Sequence, residues 1–414
     1  MLEREESTDH SGNESGLSLP LYKGPFQNNG ASPWYVKMGV GTPAQPLKFS
    51  FDTGSNFNWV TSSLCSPSGC KHYGNERFFE QRSHSFRWVN DSPTQVDFGP
   101  WGSMQVQSGH DYVEMKPAEP HLSPRVATDL YLSQEYTGQQ FAELDWDGGI
   151  GLPSYSYQPV DVPHSQIGYR GLHSTSAQPS FHFMETLLAQ GVINAQQPFV
   201  SFDTDPQNAR GQVVFGGLDA SYAQSREYLF LPWKRYDATP AVASLYYIWT
   251  TELESLAIAD KTLCSRQSSS TPLFFCLDSG SSQFKGDPEV MFNAYQYASL
   301  LGGDLTLTLG STDTGALGKL CITEALYNVQ VEAGEFAGLQ VPQFEPMQGL
   351  DALVLVGSVL MDYLYTVYEY QVVVDSLGSQ KLEPVGMWIF NKQTGPQIIQ
   401  SRQNQPAQIF HKGY

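Results

Sequence analysis

Basic residues are scarce in this chain. Its 414 residues hold 23 lysines and arginines against 42 aspartates and glutamates, a net charge of -19. Nucleic acid and anionic membrane surfaces both recruit basic patches, so neither is expected as a partner. Long apolar runs are missing too. The longest uncharged one, Ala352 to Leu360, is far below the roughly 20 residues that a membrane-spanning helix needs. Cysteines number only five, and an odd count leaves at least one thiol without an intrachain partner. Their spacings do not suit zinc, and the nine histidines form no HExxH or similar cluster, so no metal or other cofactor is expected. No GxSxG occurs, which removes support for a serine hydrolase. The opening "MLEREESTDHSGNESG" lacks the basic start and apolar core of a secretory signal. A cytoplasmic location follows if Met1 is native, and a secreted or periplasmic one if the chain was trimmed.

Turn formers and aromatics are plentiful instead: 37 glycines, 26 prolines, 22 tyrosines and 23 phenylalanines. That balance suits many short strands joined by turns, so the fold class expected is all-β. A chain of this length exceeds what one hydrophobic core usually serves, so two lobes are expected. Residues 1–30, polar and rich in glycine, serine and asparagine, read as a flexible leader. The divisions that follow are an N-terminal lobe over 31–196, a C-terminal lobe over 197–395 and a tail over 396–414.

From Trp34 the pattern changes. "WYVKMGVG" and "LKFSFDTG" alternate on either side of the turn "TPAQP", a hairpin that delivers Asp52 to a sharp glycine turn. "TQVDFGPWGSMQVQSG", Thr94 to Gly109, is a second, longer hairpin with a Gly/Pro tip. Two segments have convincing helical patterns: Ser180 to Ile193, closed by Gly191, and Asp287 to Gly303, with Pro288 in its first turn. "PFVSFDTD", "GQVVFGG" and "LYYIWTTELESLAIAD" read as strands.

Asp-[Ser/Thr]-Gly occurs three times, at Asp52, Asp278 and Asp313. Asp52 and Asp278 each end an apolar run and precede Ser55 or Ser281, whereas Asp313 sits in a Gly/Thr-rich stretch and reads as a solvated turn residue. The first two also belong to a loose internal repeat. Each is followed much later by an apolar-glycine pair, Ile150-Gly151 in the first half and Val356-Gly357 in the second. Cleaving a peptide without metal or covalent nucleophile needs a base for water and an acid for the leaving nitrogen. Two carboxyls within hydrogen-bond reach cannot both ionise, so they share one proton and offer both forms at once. Gly54 and Gly280 let the backbone approach closely. Thr53 and Ser279 can tie the two loops together, and Ser55 and Ser281 can bond to the carboxylates.

With these residues in place, the chain resembles the pepsin-like aspartic peptidases. "GTPAQ", "FDTGS", Trp59-Val60 and Cys65-x4-Cys70 have that family's spacing, and "DGGIGLP", "QGVINAQQPFVSF", "GQVVFGGLD", "CLDSGSS" and "VLVGSVLMDYLYTVYEY" match its later landmarks in order. The resemblance covers about residues 34 to 392. It implies a bilobal acid-protease fold, two lobes of six-stranded β-barrel type with a cleft between them. Asp52 and Asp278 would be catalytic, acting on an extended polypeptide with bulky hydrophobic residues beside the scissile bond. It further implies a monomer, sensitivity to pepstatin-type inhibitors and a disulfide between Cys65 and Cys70. In a reducing cytoplasm those two thiols would stay free, and a Cys264–Cys276 bridge is open, which would leave Cys321 unpaired.

The family's flap hairpin carries a tyrosine where this chain has Phe98, followed by Gly99 and one extra residue before "GSM". Phe98 can still pack on substrate, but it has no hydroxyl to offer Trp59. The acidic leader is unlike a basic propeptide, so activity on acidification is expected without removal of one, and residues 1–30 are expected to be dispensable. Those features together resemble the bacterial pepsin homologues called shewasins. The rival reading is a pepsin-fold binding or inhibitor protein without activity, which the intact aspartates, glycines and hydroxyl neighbours oppose. The closing stretch "YEYQVVVDSLGSQKLEPVGMWIFN" is longer than the family's usual hairpin.

Overall fold

The computed structural model describes residues 16–66, 68–70, 76–90, 92–97, 101–116, 123–142, 144–155, 182–236, 245–311, 315–375 and 378–411. The fold is mostly β and bilobal, organised as one 14-stranded and one 8-stranded sheet with a small two-stranded ribbon. Alternating residues set the geometry of the first hairpin. Trp34–Val40 and Gln45–Asp52 pair antiparallel with Val36 opposite Phe49. Val36, Met38, Phe49 and Phe51 are buried, and the alternate Lys37 is exposed. Thr94–Asp97 and Ser103–Met115 form the second hairpin.

The internal repeat has a topological meaning. Gln45–Asp52 runs parallel to Gly148–Gly151, Asp52 opposite Gly151, and that strand in turn pairs antiparallel with Asn58–Thr61. In the other half Leu273–Leu277 runs parallel to Leu353–Val356, Leu277 opposite Val356, which pairs antiparallel with Phe284–Gly286. In each lobe, then, the chain leaves a strand at an Asp-[Thr/Ser]-Gly turn and a later strand inserts between the two sides of that turn. The later strand needs glycine where it passes. A Cβ on Gly151 would lie 2.7 Å from the backbone nitrogen of Phe57, and one on Gly357 would lie 2.1 Å from the carbonyl oxygen of Ser281.

The lobes are not separate barrels. Tyr228–Pro232, Gln380–Asn391, Leu364–Val374, Phe199–Asp205, Arg210–Phe215 and Leu17–Lys23 are consecutive neighbours in the large sheet, which continues directly into Trp34–Val40. Strands from opposite ends of the chain therefore share one hydrogen-bonded layer. This corrects the reading of residues 1–30 as a flexible leader over its second half. Leu17–Lys23 pairs with Arg210–Phe215 along six positions and buries Leu19 and Leu21. Composition concealed it because the strand is flanked by polar stretches. The tail over 396–414 is likewise docked as far as residue 411, with Ile398, Ile399, Ile409 and Phe410 buried.

The two helices fall where expected. Phe183–Ala189 ends near Gly191, whose φ is +69°. Pro288–Leu300 starts at Asp287, whose carboxylate accepts from the backbone N–H groups of Glu289 and Val290. "LYYIWTTELESLAIAD" is strand only over Thr250–Ile258; residues 245–249 precede it in a turn that buries Tyr246, Tyr247 and Trp249. The extra length of the closing hairpin also has a use. Beyond the interlobe layer it reaches the helix Phe183–Ala189, where the Leu382 N–H donates to buried Glu185 at 2.9 Å and Lys381 pairs with the same carboxylate at 3.4 Å.

Candidate active site

Asp52 and Asp278 end their strands in matching turns. Each carboxylate accepts from the backbone N–H two residues on, Gly54 to Asp52 Oδ1 at 2.8 Å and Gly280 to Asp278 Oδ1 at 2.9 Å. This local bond is what lets an aspartate terminate a strand and hold a fixed rotamer. The two turns then meet face to face. A Cβ built on Gly54 would sit 2.7 Å from the Asp278 carboxylate, and one on Gly280 would sit 2.3 Å from Asp52 Oδ1. Each glycine is therefore the floor beneath the opposite acid.

The hydroxyl residues between them tie the loops together. Thr53 N–H donates to Ser279 Oγ at 3.1 Å and Ser279 N–H donates to Thr53 Oγ1 at 2.9 Å. Each hydroxyl in turn donates across the interface, Ser279 to the Phe51 carbonyl at 2.7 Å and Thr53 to the Leu277 carbonyl at 3.3 Å. Ser281 donates to Asp278 Oδ2 at 2.7 Å, and Ser55 lies with it on the cleft surface. One member of this network escaped the sequence reading. Tyr368, fully buried on Leu364–Val374, donates to the Leu277 carbonyl at 3.2 Å and lies 3.4 Å from Thr53 Oγ1. Its only sequence signal is a tyrosine inside an apolar strand, where a buried hydroxyl must find a partner.

The electrostatics follow from this packing. Burial, then the neighbouring Asp278 charge, then a hydrogen bond to Asp278 push Asp52 well above the usual carboxylate range, against the opposing bond from Gly54. The neutral form of Asp52 is thereby favoured relative to that of a free aspartate.

Above the acids lies a cleft whose wall carries Trp59, Trp101, Phe141, Trp146 and Tyr247 together with Gln140. Trp59 is buried with Phe141 edge-on at 6.2 Å, Tyr136 edge-on at 5.9 Å and Trp146 tilted at 6.0 Å. The hydroxyl beside Trp59 comes from Tyr136, which bonds to Thr61. Phe98 and Gly99, read as the flap tip, lie outside the described residues, as does Asp313. Trp101 is described and lines the cleft. It is among the residues that follow Phe98 in the lengthened tip, which was the signal available for it. Cys65 and Cys70 form a disulfide. Cys264, Cys276 and Cys321 are free, so the Cys264–Cys276 bridge left open above does not form.

A family model for the eukaryotic aspartyl proteases matches residues 33–373. The chain belongs to that family and is by class an aspartic-type endopeptidase, a hydrolase of peptide bonds. Among individual proteins it is similar to cathepsin E of Mus musculus, 23% identical over 355 residues that cover 81% of this chain and 77% of that protein. It is also similar to pepsin A of Bos taurus, 27% identical over 199 residues, and to gastricsin of Cavia porcellus, 26% identical over 225 residues. These last two matches span 46% and 48% of the relatives' own lengths.

Proposed function

We propose that Asp52 and Asp278 form a catalytic pair that hydrolyses polypeptides in acid, with the water attacking directly and no covalent intermediate. The observation that carries this reading is the pair of opposed turns, each glycine beneath the other lobe's carboxylate. In this mechanism the protonated acid polarises the scissile carbonyl while the ionised one takes a proton from the water between them. The proton so collected then passes to the departing nitrogen, which returns the pair to its starting state. Both roles need a single shared proton. The raised pKa of Asp52 keeps that proton bound, and activity is lost as pH rises through it.

The substrate is an extended polypeptide. Five aromatic rings around the acids favour bulky apolar side chains on either side of the scissile bond. A pepstatin-type peptide inhibitor would occupy the same cleft, and the chain is proposed to act as a monomer. The test is cleavage of an unfolded protein at about pH 4, with and without pepstatin, by the wild type and by Asp278→Asn and Asp52→Asn. Each substitution is expected to reduce cleavage by at least about a thousandfold without unfolding the chain. Cleavage that survives Asp278→Asn would sink the pair.

A further inference from the structure

A buried lysine stands behind the cleft, and the mechanism makes no use of it. Lys285 follows the Asp278 turn on Phe284–Gly286 and is only 1% exposed. Its ammonium donates to the Gly30 carbonyl at 2.7 Å and to Gln140 Oε1 at 3.2 Å. Gly30 adopts φ of +85°, and a Cβ there would come within 2.7 Å of Lys285 Nζ and 3.3 Å of Glu345 Oε2. Glu345 is the direct strand partner of Lys285, and with Asp278 and Asp52 it opposes the loss of the lysine's charge that burial alone would cause. A full cation in so closed a place needs its acceptors. Gln140 supplies one from the opposite lobe while lining the cleft beside the two acids.

That contact decides how the glutamine faces. A carboxamide has one acceptor end and one donor end, and either can point either way unless a neighbour chooses. An ammonium can only donate, so it claims Oε1 and leaves the NH2 group as the other end. Among the described residues nothing accepts from Gln140 Nε2. The neighbours on this wall, Trp101, Phe141 and Trp146, are aromatic. The wall therefore offers an apolar surface with a donor set into it, oriented from behind.

We propose that Gln140, oriented by Lys285, is a specificity-determining residue that selects substrates with an acceptor side chain, a carboxamide or carboxyl, at one position near the scissile bond. This rests on the proposed Asp52–Asp278 reading. A main-chain carbonyl could also bond to Gln140, but every peptide has one, so such contact would not discriminate. Lys285 is a positioning residue: it touches no substrate and acts through the amide it orients.

The test uses the full chain and a set of peptides that keep bulky apolar residues on either side of the cleaved bond and carry Gln, Glu or Leu in turn at each of the next positions out. Wild type is expected to favour Gln and Glu over Leu by about tenfold in kcat/KM at one position, mostly through KM, the worth of one well-made hydrogen bond. Gln140→Leu should reverse that preference and leave the other positions unchanged. Lys285→Arg, which keeps a donor, should retain it. Lys285→Met should flatten it, with thermal melting reporting whether that variant folds. Leu favoured at every position by wild type, or an unchanged profile in Gln140→Leu, would overturn the proposal. An equal loss on all peptides in Gln140→Leu would overturn it as well, since that is the signature of main-chain contact. Absence of all cleavage by wild type, with Asp278→Asn no different, would refute the catalytic reading beneath it.

Discussion

Gly54 and Gly280 are the residues whose side chains matter most by being absent. Alanine at 280 would place a methyl 2.3 Å from Asp52 Oδ1, well inside contact distance, so the carboxylate must rotate or the turn must open. Gly280→Ala is expected to lower kcat by about a hundredfold or more while the far-ultraviolet spectrum stays unchanged, since a displacement of about 1 Å at reacting groups has that cost. His182 poses a different problem. It is fully buried against the Tyr370 ring at 5.3 Å, and burial lowers its pKa to about 4, with Glu185 opposing and Lys381 reinforcing the shift. The unfolded chain takes up the proton at about pH 6.5, and the folded one only at about 4. Stability is thus lost as pH falls between those values, by about 3 kcal/mol in all. Asp362 works the other way. Burial raises its pKa to about 6, so its contribution is fully present below about 3.8 and is lost as pH rises through 6. His182→Leu should melt nearer to its neutral-pH temperature at pH 4 than wild type does, which calorimetry at the two pH values would check.

At the scale of elements, what could be read from residues alone was what local chemistry determines. Asp287-Pro288 announced a helix start, Gly191 a helix end, and alternation with flanking turns the hairpin into Asp52. The pairing of strands distant in sequence was visible only as a repeat of motifs, because nothing in "DGGIGLP" says that it inserts beside Asp52. Leu17–Lys23 was missed for a related reason. Its seven residues gain their stability from Arg210–Phe215, almost 200 positions away, and no local pattern records that partner. The consequence is measurable by truncation. Deleting residues 1–15 is expected to leave melting temperature and activity intact, whereas deleting 1–30 removes the paired strand, the buried Phe26 and the Gly30 acceptor of Lys285. The longer deletion should be insoluble or should melt at least about 10 °C lower, as losing several buried apolar residues from one layer requires. Equal stability of the two truncations would contradict the role given to this strand.

For the whole molecule, the acids were legible and the ground beneath them was not. Asp52 and Asp278 stood out because each ends an apolar run in the same phrase. Tyr368, Lys285 and Gln140 did not, since a tyrosine in a strand, a lysine after a turn and a glutamine in a short helix become special only through what folding places opposite them. Trp101 sits within the lengthened hairpin tip, three residues past the position that matches the family's tyrosine, and no family landmark marks it. The arrangement of the large sheet explains why so much depends on distant partners: its interlobe layer draws on residues 17–23, 199–205, 210–215, 228–232, 364–374 and 380–391. The loop exchange between Thr53 and Ser279 spans 226 positions, and the tyrosine beneath it is reached 89 residues later, at 368. During synthesis, therefore, the first acid leaves the ribosome 226 residues before the second, with only its own turn to hold it. A nascent chain shorter than 278 residues lacks one of the two acids, and one shorter than 368 lacks the tyrosine beneath their loops. Leu364–Val374 and Gln380–Asn391, which join the shared layer, are made only after both acids, so the interlobe sheet closes later than the sites it holds in register.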